Sequence, residues 1–148
     1  MSYSMMAVNV GAAILELQPQ VYTTLRDDAM LKQLVSQQIF DGQATSTAVL
    51  PYVVLGEIVE EAADMLSQQG RDIAVTVHVY STYKGNKEVT PIASRIIQLL
   101  NRVQLPMGIN WYIAMAKFES LQIVPDPGQA RHAVMKFRYR VHATRRTD

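Results

Sequence analysis

Between Val89 and Val103 the apolar residues Val89, Ile92, Ala93, Ile96, Ile97, Leu99, Leu100 and Val103 recur at the spacing of one broad helical face. A stripe of that width must be buried against another layer of structure. Pro91 falls in the first turn, where a missing N–H costs little, and Pro106 and Gly108 lie beyond the end. The rest of the chain must therefore supply an apolar surface for this helix to cover. The sequence on both sides of it is strand-like. From Asp72 to Tyr83, Ile73, Val75, Val77 and Val79 alternate with Ala74, Thr76, His78 and Tyr80. From Arg131 to Ala143, Ala133, Met135, Phe137, Tyr139 and Val141 alternate with Lys136, Arg138, Arg140 and His142. A period of two puts each set on its own face of a pleated strand.

Two further strands are predicted. Tyr52 to Val59 holds the continuous run Val53-Val54-Leu55, which suits a strand covered on both faces, and the other runs from Tyr112 to Val124. Lys84-Gly85-Asn86 reads as a turn, and Pro125-Asp126-Pro127-Gly128-Gln129 as a hairpin loop. Ile39 to Gly42 reads as a short extended piece, residues 43–49 as a small polar loop, and Glu60 to Gly70 as a linker between strands. Val10 to Val35 is helical in pattern, in two pieces. Pro19 interrupts it by kinking the helix or by opening a new one, and Asp27 and Asp28 offer caps to a short second helix.

The expected fold is α+β: a mostly antiparallel sheet of about four strands in hairpins, with two or three helices on one face. Residues 1–9 are expected to form a flexible arm and residues 10–144 a single domain, which suits the 148-residue length.

Composition narrows the function classes. The net charge of +1 provides no strong field toward nucleic acid or anionic membrane. The absence of cysteine rules out disulfides and thiolate metal sites. No run approaches the length of a membrane helix, and Met1 to Leu17 carries no Lys or Arg, so it lacks the basic start of a secretory signal. The chain reads as soluble and intracellular. Charged residues make up 18%, a modest share that points to surface covered by partners.

No catalytic equipment emerges. The seven glycines are scattered and form no phosphate cradle. His78, His132 and His142 lie far apart in sequence; strand histidines can meet across a sheet, but surface or edge positions are the simpler reading. His78 and Ser81 are three apart on one strand and point to opposite faces. Asp27-Asp28 reads as helix capping and Glu60-Glu61 as solvated loop. No cofactor is expected.

Two features remain as candidate protein–protein contacts. One is the apolar pair Met65 and Leu66, at the tip of the hairpin within the 60–70 linker. The other is the basic face of the last strand, Lys136, Arg138 and Arg140. That face could follow a phosphate backbone, which keeps a small nucleic-acid-binding module as the alternative. However, single-strand binders interleave aromatics with their cations, and Phe137 and Tyr139 fall on the opposite face.

Three stretches carry a resemblance. The first is Val21-Tyr22-Thr23-Thr24-Leu25-Arg26-Asp27-Asp28 through Ile39-Phe40-Asp41-Gly42 to Pro51-Tyr52-Val53-Val54-Leu55-Gly56-Glu57. The second is Val75-Thr76-Val77-His78-Val79-Tyr80-Ser81 with the helix that begins near Glu88. The third is Phe118-Glu119 through Asp126-Pro127-Gly128 and Arg131-His132 to Val141. In order and spacing they resemble the phage tail terminator or tail completion proteins, from Val21 to Ala143. That resemblance implies a structural virion protein at the neck of the tail, assembled in the host cytoplasm as a hexameric ring. Such a ring caps the tail tube, stops its polymerisation and joins tail to head. The implied partners are other copies of the chain, the tail tube protein and a head completion or connector protein. DNA would pass through the ring without specific binding, and no membrane is involved.

Overall fold

The computed structural model describes residues 9–82, 85–125 and 131–144. Three helices and five strands follow in the order α1 (Ile14–Arg26), α2 (Ala29–Val35), β1 (Ile39–Asp41), β2 (Tyr52–Ala62), β3 (Gly70–Ser81), α3 (Val89–Leu100), β4 (Trp111–Pro125) and β5 (Arg131–Ala143). The strands form one sheet in the order β1-β2-β3-β5-β4. Among the described residues only the β1–β2 pair is parallel. The α+β class and the one-sided helical layer follow the sequence pattern. The fifth strand is the short Ile39–Asp41 piece, which pairs alongside Val53–Leu55.

The connection from β3 through α3 to β4 is a split β-α-β unit. β5 returns antiparallel and inserts between β3 and β4, pairing with both. The residues on one face of this sheet, Val53, Leu55, Ile73, Val75, Val77, Val79, Met135, Phe137, Tyr139 and Val141, are buried. Leu17, Val21 and Leu25 of α1, Leu31 and Val35 of α2, and Val89, Ile92, Ala93, Ile96 and Leu100 of α3 join them in one core. The buried Tyr139 hydroxyl donates to the Leu100 carbonyl at 3.0 Å, and burial raises its pKa well beyond the ordinary phenol range.

α1 runs through Pro19 without dividing there, and the division falls at Asp27–Asp28, where the sequence offers caps. Asp28 is the N-cap of α2, accepting the Leu31 N–H at 2.9 Å, and it also takes two hydrogen bonds from the Arg95 guanidinium of α3. One carboxylate thus ends the turn and ties two helices. α3 stops at Leu100, short of Val103. Asn101 leaves the helix in an extended conformation, and its side chain accepts the Phe118 N–H at 2.8 Å. Arg102 N–H then donates to the Ala116 carbonyl and the Gln104 amide to the Ile113 carbonyl. These bonds cover the first half of the β4 edge, where the ladder is irregular at Ile113/Met115 and Phe118/Ser120. Covering an edge in this way blocks unwanted strand pairing.

The expected arm and the 125–129 hairpin loop fall almost wholly outside the described residues, as do Tyr83 and Lys84. No helix among the described residues is long and apolar enough to cross a membrane.

Candidate assembly surfaces

The β2–β3 hairpin carries the first surface. Its ladder runs from Tyr52 opposite Tyr80 to Ala62 opposite Arg71, so the linker between the strands narrows to residues 63–69. A bridge between Met65 and Gln68 closes the turn with Leu66 and Ser67 at the apex. Leu66 is fully exposed and Met65 is 43% exposed. The base beneath them is held firmly. The Ala63 N–H donates to the Gly70 carbonyl, the Gly70 N–H to the Asp64 carboxylate, and the Gln68 amide to the Ala143 carbonyl and the Tyr112 hydroxyl. Turn apices favour Gly, Asn, Asp and Ser for their backbone and hydrogen-bonding habits. An exposed leucine on an anchored turn has no such local reason.

Glu60 corrects the sequence reading of a solvated carboxylate pair. It lies within β2, and its carboxylate accepts the Ala13 N–H at 2.8 Å and the Ile14 N–H at 3.0 Å. It therefore satisfies orphan donors at the positive start of α1. Arg71 stands 3.4 Å from it, with its guanidinium 4.6 Å above the Trp111 ring. Glu16 returns the favour from α1 by accepting the Asn110 and Trp111 N–H groups. These links bring Leu15, Ile109 and Tyr112, all exposed, to the same end of the molecule as the hairpin tip.

The sheet face away from the helices is the second surface. Lys136, Arg138 and Arg140 share it, as their alternation predicts, opposite Thr76, Ala74 and Asp72 of β3. The charges of Arg138 and Arg140 are matched on the spot. Arg138 Nε donates to Glu119 at 2.9 Å, and Asp72 lies 3.5 Å from Arg138 and 3.6 Å from Arg140. Glu119 stands at the irregularity between Phe118 and Ser120, which lets it reach across to Arg138. The Glu119 carboxylate, helped by Asp72, holds the Arg138 guanidinium above its already high ordinary pKa. The acidic partners stand on strands that meet β5 only through tertiary pairing, so no local pattern in the sequence marks them.

A ring cluster occupies the far end of the same face. His78 and His132 stand on adjacent interior strands, so neither is an edge histidine. His78 Nδ1 lies 2.8 Å from His132 Nε2, and His78 Nε2 lies 3.1 Å from the Glu57 carboxylate. The hydrogen bond from His78 is the main cause that lowers the Glu57 pKa. His132 stacks on Tyr80 with centroids 4.3 Å apart, Tyr80 packs on Tyr52 at 5.1 Å, and Tyr52 meets Phe40 edge-on. Tyr52, Val54 and Tyr80, with Gly42 to Thr45, line an open groove of about 390 Å³. Gly56 makes this arrangement possible, since a Cβ there would sit 2.7 Å from the His78 ring.

The serine next in line belongs elsewhere. Ser81 is buried on the helical side, and its hydroxyl donates to Glu88. His142 sits beside the hairpin tip, 3.5 Å from the Tyr112 hydroxyl. Among the described residues no three His, Asp or Glu side chains are placed to hold a metal ion.

A family model described as Tail completion protein gp17 matches residues 19–142. Among solved structures, a chain from "Virion of native gene transfer agent (GTA) particle" superposes with a TM-score of 0.81 at 22% identity, covering 90% of this chain and 99% of that one. The bacteriophage SPP1 gp17 protein superposes with a TM-score of 0.56 at 18% identity, covering 88% of this chain and 95% of that one. No curated protein sequence matches the chain.

Proposed function

Because this chain belongs to the tail completion protein gp17 family, we propose that it is a structural, non-enzymatic virion protein that forms a ring on the finished tail tube. The ring ends tube polymerisation and presents the surface to which the head's connector joins. It acts at the neck of the particle after assembly in the host cytoplasm, and DNA passes through without specific binding. The observation that carries this reading is the extent of the family match, which runs from within α1 to the penultimate residue of β5. A chain of the same fold is part of a virion in the gene transfer agent particle.

The surfaces fit such a role. A ring subunit needs two different patches, because head-to-tail contacts close into a ring only when unlike surfaces meet. The Met65–Leu66 tip and the Lys136–Arg138–Arg140 face are such patches, and both serve as contacts to neighbouring proteins. The hexameric count rests on the family resemblance. Deleting the gene from the producing phage or particle should give tails of uncontrolled length that fail to join heads. Tails of normal length joined to heads would sink the proposal. Electron microscopy of the purified protein, alone and with tail tubes, should show rings.

The alternative, a nucleic-acid-binding module, is disfavoured by the pairing of Arg138 and Arg140 with carboxylates of the same face. A phosphate-binding stripe needs cations free to release counterions on contact. Binding of short DNA that falls steeply with salt and with Arg138→Ala would favour the alternative instead.

A further inference from the structure

We propose that the two lateral sides of the sheet are docking surfaces for further copies of this chain: the acidic side built on β1 and β2 receives the basic side built on β4 and β5 of the next copy. The inference rests on the ring-forming reading and names the surfaces that meet in it. Residues 33–70 contain Asp41, Glu57, Glu60, Glu61 and Asp64 and no Lys or Arg. Among the described residues between 101 and 144, Arg102, Lys117, Arg131, Lys136, Arg138 and Arg140 stand against Glu119 alone. The strand order sets these two segments at opposite ends of the sheet, with β3 between them. β3 itself holds Arg71 next to Asp72, and the helices pair their charges locally, as in Arg26 with Asp27 and Arg95 with Asp28. A chain of net charge +1 is therefore polarised from side to side.

Internal pairing leaves part of each excess unused. On the basic side, Glu119 and Asp72 take up Arg138 and Arg140. Arg102, Lys117 and Lys136 are exposed and have no ion-pair partner among the described residues. On the acidic side, the Asp41 carboxylate accepts from the neutral amide of Gln18, and Glu61 is exposed with no ion pair among the described residues. These acids stand at the margin of the sheet. β1 ends at Asp41, so β2 is itself the edge beyond Leu55, and Glu57 and Glu61 lie on that stretch. Lys117 lies on β4, the opposite edge strand, and Arg102 is held alongside by its N–H bond to the Ala116 carbonyl. Like charges along one edge repel one another and gain when a surface of opposite sign covers them. Two copies joined through the same edge would set like against like, so a two-fold dimer through either edge is disfavoured. Acidic edge against basic edge leaves one edge of each sign open until the series closes on itself, which is the geometry of a ring.

Charge reversal tests the match. Lys117→Glu with Lys136→Glu gives a copy acidic on both sides, and Asp41→Lys with Glu61→Lys gives one basic on both sides. All four positions are exposed, so both variants should fold. In sedimentation and mass photometry the unaltered protein should form oligomers, by itself or on tail tubes. Each variant alone should associate about tenfold more weakly or less still. An equimolar mixture should restore the oligomers, with the two variants alternating. Either variant associating alone as strongly as the unaltered protein, or no recovery on mixing, would overturn the pairing of edges and leave ring formation standing. No oligomer of the unaltered protein, even with tail tubes, would overturn the ring-forming reading and this inference together. Should a variant not fold, salt decides on the unaltered chain. Its association should weaken about tenfold between roughly 0.05 and 0.5 M sodium chloride. Association that holds or strengthens over that range would also overturn the proposal.

Discussion

At the scale of single residues, three carboxylates do more than sequence position suggests. Asp28 caps α2 and grips Arg95 of α3. Asp28→Ala should cost about 1–2 kcal/mol, as loss of a capping residue does, measured by urea unfolding. The Arg95 hydrogen bonds are the main cause that lowers the Asp28 pKa. Its contribution is therefore present above the ordinary carboxylate range and lost as pH falls through the lowered folded value. The gap in stability between the unaltered protein and Asp28→Asn should close over that acid range. Glu60 is the second, and Glu60→Ala should cost about 1–2 kcal/mol by freeing the first N–H groups of α1. Glu16 is the third, at Asn110 and Trp111. Gly56 is constrained from the other side. Gly56→Ala would press on the His78 ring, and the expected loss is about 1–3 kcal/mol with the His78–Glu57 contact broken. An unchanged melting curve would show that the ring yields freely.

At the scale of elements, the legible parts were those whose pattern is local. The α3 stripe and the alternation in β3 and β5 are visible because helix and strand periods are set by covalent geometry. Val89, Ile92, Ala93, Ile96 and Leu100 are all buried, as the stripe requires. Boundaries were less legible. α1 passes through Pro19 because only one backbone donor is lost and packing of Leu17, Val21 and Leu25 outweighs it. α3 ends at Leu100 because Asn101 is recruited to the β4 edge, a partner distant in sequence until the chain folds back. The β4 edge depends on that recruitment. Asn101→Ala should leave the Phe118 N–H without its acceptor, cost about 1–2 kcal/mol and speed amide exchange at Phe118.

At the scale of the whole molecule, the distinction between stability and assembly can be tested on the hairpin tip. Leu66 contacts little of its own chain. Leu66→Asp should therefore change folding stability by less than about 0.5 kcal/mol, while reducing oligomers in sedimentation or mass photometry if the tip meets a neighbour. Oligomers unchanged in size and strength would remove the tip from the interface. The candidate patches themselves were partly readable. Met65 and Leu66 do stand at a hairpin apex, and Lys136, Arg138 and Arg140 do share one face. What could not be read was their electrostatic setting. Glu119 and Asp72 meet Arg138 only because β5 inserts between β3 and β4.

The layering of helices on one side of a largely antiparallel sheet was written into periodicity, since apolar residues at 3.6 or 2 residue intervals can be buried in few ways. The order of motifs along the chain likewise carried the family. Strand order, cross-strand register and the pairing of His78 with His132 belong to the tertiary structure. They depend on contacts between residues dozens of positions apart, and nothing in a local period fixes which strand becomes the neighbour of which.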